Sequence, residues 1–205
     1  MAIQKVKTTV CMMERIKAKF TFNDLKDSSR YYFPIMDRLD NKTDVGSDFS
    51  VIFDTIMIYN RAFIKLLSDA EMYAAYALVR LQLDNLTYLY AEYEHPSKVL
   101  NAVFSKGRTL NQITIDGSQL NPSEIRRKID EEYCASIREL YKKFSGYIHP
   151  SKLQADIPTD FYCDGEKCFY TTTQQRKYSR DMIEINNLLG KVALSIYKNK
   201  IKETN

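Results

Sequence analysis

Between Met72 and Tyr90 six apolar residues, Met72, Tyr76, Val79, Leu83, Leu86 and Tyr90, recur at steps of 4, 3, 4, 3 and 4. No strand has that period. The alternation of 4 and 3 lays one continuous apolar seam along a helix of about 22 residues, 72–93. A seam so narrow and so long must be covered by other helices, which makes an all-α bundle the expected architecture. The helix is expected to stop near His95, because Pro96 disfavours helical geometry in the residue before it.

Other segments carry matching stripes. In 49–69 the apolar residues are Phe49, Ile52, Ile56, Phe63 and Leu66, with Tyr59 filling the gap and Ser47 or Asp48 as a cap after "NKTDVGSD". Pro96 is placed to open a short helix, 96–105. Asn121 is the expected cap of a long helix 122–149, with Pro122 in its first turn and Glu124 at the capping-box position. Its stripe is Ile125, Ile129, Tyr133, Ile137, Leu140, Phe144 and Ile148. A last helix, 173–200, is expected to bury Met182, Ile185, Leu189, Val192 and Ile196, and to leave 198–205 as a solvated basic tail. "SKGRTLNQITIDGSQLNP" reads as a loop with a short extended excursion at its Asp-Gly turn. In "DIPTDFYCDGEKCFYTTT" aromatic residues flank a second Asp-Gly, which predicts a small β-hairpin insertion near 158–172. Residues 1–45 are helical in composition at "CMMERIKAKF" and broken at Pro34. The whole, 1–205, is expected to be one up-down bundle of four or more helices.

The bulk numbers bound the function. A chain of 205 residues, 44% hydrophobic and 27% charged, can bury a full core. A net charge of +4 permits a nucleic-acid partner without arguing for one. No apolar run approaches the roughly 18 residues of a membrane helix, and the N-terminus has no secretory apolar region. A cytoplasmic protein without membrane contact is expected. Phosphate loops, dinucleotide fingerprints, HExxH and GxSxG are all missing, so no cofactor is implied. Cys163 and Cys168 flank the hairpin turn as cross-strand neighbours; no second close pair completes a zinc site, and no disulfide is expected in a reducing cytosol.

Polar rows run beside the stripes. Arg138, Tyr141, Ser145 and His149 are 3, 4 and 4 residues apart, each one residue after an apolar position. Arg80, Asp84 and Thr87 stand in the same relation to Val79, Leu83 and Leu86. Two such rows facing each other form either a ligand or catalytic pocket or a set of flank pairs that hold helices together. The basic runs "IRRK" (125–128) and "YKK" (141–143) are either solvated faces or an RNA-contacting face. The tetrapeptide "HPSK" occurs at 95–98 and 149–152, around the chain's two histidines. His95 reads as helix punctuation beside solvent-facing Glu92 and Glu94; His149 closes a polar row.

The segments "AAYALVRLQLDNLTYLYA", "VFSKGRTLNQI…DGSQL" and "LYKKFSGYIHPSK" resemble a group of uncharacterised bacterial helical proteins. That group has R-x-x-x-D on one helix, a Lys-Gly loop, and Y-x-x-x-S-x-x-x-H ending a later helix. Here these are Arg80, Asp84, Lys106, Gly107, Tyr141, Ser145 and His149. The group is similar, more distantly, to the HEPN superfamily of helical bundles, many of them ribonucleases of toxin and phage-defence systems that complete their site by dimerisation. The resemblance implies His149 as the acid/base, helped by Tyr141 and Ser145. It implies Arg80, Arg138, Lys142 and Lys143 on phosphate, Asp84 orienting Arg80, and a homodimer. The superfamily's Arg, four to six residues, His signature is absent: ten residues separate Arg138 from His149. A metal-independent ribonuclease acting on RNA is one expectation. The other is a non-catalytic helical module that docks a protein partner, with a structural polar cluster.

Overall fold

A computed structural model describes residues 22–26, 46–149 and 160–203 of the chain. Its helices are α1 (Phe22–Lys26), α2 (Gly46–Ser68), α3 (Met72–Glu94), α4 (Val99–Phe104), α5 (Pro122–Tyr133), α6 (Ile137–Ile148), α7 (Thr172–Tyr178) and α8 (Arg180–Glu203). Two antiparallel hairpins interrupt them, β1 (Thr114–Ile115) with β2 (Ser118–Gln119), and β3 (Tyr162–Asp164) with β4 (Lys167–Phe169). The protein is an all-α bundle with two small β insertions. None of the described helices is long and apolar enough to cross a membrane.

Helix α3 is the axis, packing against α2, α4, α5, α6 and α8. All six residues of its stripe are buried, each worth about 1.5–3 kcal/mol by the apolar area it removes from water. The α8 residues Met182, Ile185, Leu189, Val192 and Ile196 are buried as their spacing predicts. Helix α2 turns into α3 through a Schellman cap, with Glu71 N–H donating to Leu66 O and Ala70 N–H to Leu67 O. Ala70 takes the left-handed position at φ 58°, where glycine is usual.

The fold departs from the sequence-based expectations at particular residues. In α2 the seam position is Asn60, fully buried, while Tyr59 is only half-buried, and Leu67 is sealed where Leu66 is partly open. Pro96 does not open the short helix. Residues 96–98 form a turn with Ser97 at φ 62°, and α4 begins at Val99. The reason is Glu92, which is 1% exposed rather than solvent-facing. Its carboxylate accepts from the backbone N–H groups of Ser97, Val99 and Leu100. Those are orphan donors at the α4 N-terminus, so a buried carboxylate caps the helix that the proline does not start.

The expected helix 122–149 is two helices. Cys134 adopts a left-handed φ of 50°, and the chain reverses so that α6 packs back on α5. Asp130 holds the corner, its carboxylate accepting from Ile137 N–H and Arg138 N–H. The stripe accordingly shifts: Tyr147 is buried and Ile148 is 41% exposed. The last helix is also divided, at Ser179, and α8 continues through Glu203, where a solvated tail from 198 was expected. Among the candidate elements, 1–21, 27–45 and 150–159 lie outside the described residues, including the start of the hairpin region.

The two Asp-Gly pairs make different turns. In β1–β2 both Asp116 and Gly117 are central, at φ 51° and 83°, the type I′ pattern. In β3–β4 the register pairs Asp164 with Lys167, so the central residues are Gly165 and Glu166, one position later than Asp164–Gly165. Gly165 alone has positive φ, at 61°, as a II′ turn requires. That register sets Cys163 opposite Cys168 with Cα atoms 4.1 Å apart, and the two are joined as a disulfide. The pairing overrides the expectation of free thiols, because adjacent strands present the two sulfurs to each other.

Candidate functional site

The corner at Cys134 makes the site. In an unbroken helix Arg126 and Tyr141 would stand about 22 Å apart along one axis. Folded back, α6 lays the Tyr141 ring 3.6 Å from the Arg126 guanidinium carbon. The Arg80 guanidinium from α3 also lies 3.6 Å from the same ring centroid. Two planar groups that close to one centroid cannot share a face, so the ring is sandwiched between two cations.

Arg80 is the hub. Its Nε donates to Ser145 Oγ at 3.1 Å, one terminal nitrogen donates to Asp84 and the other to the Tyr141 hydroxyl. Two helices, α3 and α6, thus meet on one guanidinium, and α5 joins through Arg126 on the far face of the Tyr141 ring. Arg80 is mostly buried, and Asp84 is one-third exposed, so the cluster opens to solvent on the Asp84 side. Burial raises the Asp84 carboxyl above its ordinary range, against the opposing pull of Arg80 and then Arg126. Burial also lowers Arg126, against the pull of Tyr141 and Asp84.

The other sequence-derived candidates are distributed elsewhere. Thr87 is buried and donates to Leu83 O of its own helix. Arg138 leaves the row to pair with Asp130 at 3.0 Å, because the corner carboxylate is its nearer partner. Lys143 pairs with Asp181 of α8 at 2.5 Å. Lys142 is exposed. His149 is exposed, caps α6 in extended geometry, and donates its backbone N–H to Ser145 O. The structure therefore brings together Arg80, Asp84, Tyr141 and Ser145. It sets Arg138, Lys142 and Lys143 outward, and puts His149 at the helix end.

Arg126 was not singled out by the sequence, though a signal for it exists. It follows Ile125 as Arg80 follows Val79 and Tyr141 follows Leu140, and Asp130 follows Ile129 in the same way. The displaced-by-one rule applied to α5 finds both the second cation and the corner acid.

A second polar group lies on the opposite side of α3. Gln82 Nε2 donates to Asn186 Oδ1 at 3.1 Å and reaches Asn60 Oδ1 and Ile56 O. Asn60 and Asn186 exchange reciprocal amide bonds of 3.2 and 2.8 Å, and Asn85 donates to Gln82 Oε1 at 2.9 Å. These four amides are buried and uncharged. Among the described residues no group of three or more His, Cys, Asp or Glu side chains converges as a metal site.

No family model matches the chain, and neither a curated protein nor a solved structure does.

Proposed function

We propose that this chain is a non-catalytic helical interaction module of the cytoplasm. The Arg80 cluster sets the register of α3, α5 and α6, and the outer surface meets a protein partner or a second copy of the chain. The observation that carries the reading is Arg80 itself: its donors are committed to Asp84, Tyr141 and Ser145. Two of its three partners come from another helix, which is the arrangement of a clamp. Of the basic groups named for phosphate, Arg80, Arg138 and Lys143 all have carboxylate partners. Large apolar side chains on the surface, among them Ile58 at 59% and Tyr162 at 57% exposed, supply contact area for docking. The test is a double-mutant cycle between Arg80→Met and Tyr141→Phe in urea unfolding, with light scattering of the native protein. A coupling energy near zero would sink the clamp.

A second reading, a HEPN-like protein that binds or cleaves RNA, is favoured by one observation. Lys142 and His149 are both exposed and seven residues apart, which puts them on one face of α6 with Ser145 between. On this reading His149 is the acid/base, Tyr141 and Ser145 assist it, and Lys142 holds phosphate. RNA cleavage in EDTA, lost in His149→Ala at unchanged melting temperature, would establish it over the clamp.

A further inference from the structure

The clamp reading accounts for Arg80 and leaves Arg126 over. Arg126 is 9% exposed, yet no salt bridge to it forms among the described residues. Its guanidinium stacks on the Tyr141 ring. The cluster therefore holds two guanidinium groups and one carboxylate, and Asp84 is already bound by Arg80. A cation this deep is costly without a counter-charge. Stacking on an aromatic face offsets about 2 kcal/mol of that.

The uncommitted donors are also reachable. Among the described residues the only polar side-chain atom sealed from solvent without a hydrogen-bond partner is the Tyr133 hydroxyl. The Arg126 nitrogens that no side chain accepts from are accordingly not fully sealed from solvent. A planar guanidinium fixed on a ring, with donors that solvent can reach, is suited to bind an oxyanion through parallel N–H donors.

We propose that Arg126, oriented by Tyr141, is a binding site for a phosphate-class oxyanion at the junction of α3, α5 and α6. The anion supplies the missing negative charge at the uncommitted donors of Arg126. The site goes beyond the clamp: a clamp needs Arg80 and Tyr141, whereas the anion needs Arg126. Asp84 opposes it, since its carboxylate lowers the local positive potential.

Isothermal titration with inorganic phosphate tests this, with acetate and chloride at matched ionic strength as the other arms. Wild type is expected to bind phosphate saturably and more tightly than acetate. Arg126→Met is expected to weaken binding at least about tenfold, with Arg126→Lys intermediate because one point charge replaces the fork. Asp84→Asn is expected to tighten it. Circular dichroism and urea unfolding of each variant keep loss of binding distinct from loss of fold, and the Asp84→Asn gain does not depend on the Met variant folding. Overturning results are no saturable heat with phosphate, equal affinity for acetate, or affinity unchanged in a folded Arg126→Met. Failure of the Arg80–Tyr141 cycle would remove the clamp and leave these outcomes readable.

Discussion

Helix α3 carries two polar clusters that differ in almost every respect. Gln82 points into an amide cluster with Asn60 and Asn186. Arg80 and Asp84, each two residues away and so about 200° round the helix, point into the charged cluster with Tyr141, Ser145 and Arg126. The amides are dry, neutral and mutually satisfied. The charged groups are part-open and carry one positive charge in excess. A buried neutral network has nothing left to offer a ligand, so its role is to fix which turn of α2 and α8 faces α3. A part-open charged network still has donors and a field to offer. Position on the helix, rather than polarity as such, separates the two roles.

Breaking the amide side should have the largest effect. Asn186→Leu takes away the acceptor of two buried amide donors and the donor to Asn60. It is expected to cost about 3 kcal/mol in urea unfolding. Asn60→Leu with Asn186→Leu should cost less than the two singles added, because the second change removes a partner already orphaned.

On the charged side the costs should be smaller, since water can reach it. Arg80→Met is expected to cost about 2 kcal/mol, after allowing for the exposure of Asp84. Glu92→Ala, which uncaps α4, belongs in the same range, about 2 kcal/mol for three N–H groups of which some find water. An amide variant that proved cheaper than Arg80→Met would reverse the ranking of the clusters.

Asp84→Asn should be the mildest of the cluster variants, under about 1 kcal/mol at neutral pH. Its pH signature is sharper than its size. The folded carboxyl is raised above its unfolded value, so the folded state binds the proton more tightly. That contribution is full below the unfolded value and is lost as pH rises through the raised folded one. Comparing wild type with Asp84→Asn from acid to neutral pH should show the wild type losing relative stability upward. A loss in the opposite direction would mean that Arg80 outweighs burial.

Reduction of the Cys163–Cys168 disulfide should be felt least across the clusters. Both strands are short and largely exposed, and among the described residues they pair only with each other. Amide exchange is expected to quicken in 162–169 and to stay unchanged in α3.

Much of this was legible locally. The α3 stripe, the Asn121 cap with Pro122, and the Arg80–Asp84 and Tyr141–Ser145 spacings all depend on residues within a turn or two. What misled was equally local. "EEYCASIREL" has neither glycine nor proline, so nothing in it announces a corner. Left-handed Cys134 costs roughly 1 kcal/mol, and the offset comes from Asp130 capping α6 and from Tyr141 reaching two arginines. Glu92 looked solvent-facing as a charged residue near a helix end; two of the three N–H groups that bury it belong to the next helix and the third to the turn before it.

The sequence by itself determined that this protein is helical, which faces of its helices are apolar, and which polar residues flank them, because helix period and capping are set by near neighbours. Only the tertiary structure decided which of those flanking residues meet. Arg126 is one more basic residue in "IRRK" until α6 folds back over it, because the partner that converts a solvated charge into a stacked, nearly buried one comes from fifteen residues away in the chain and from another helix.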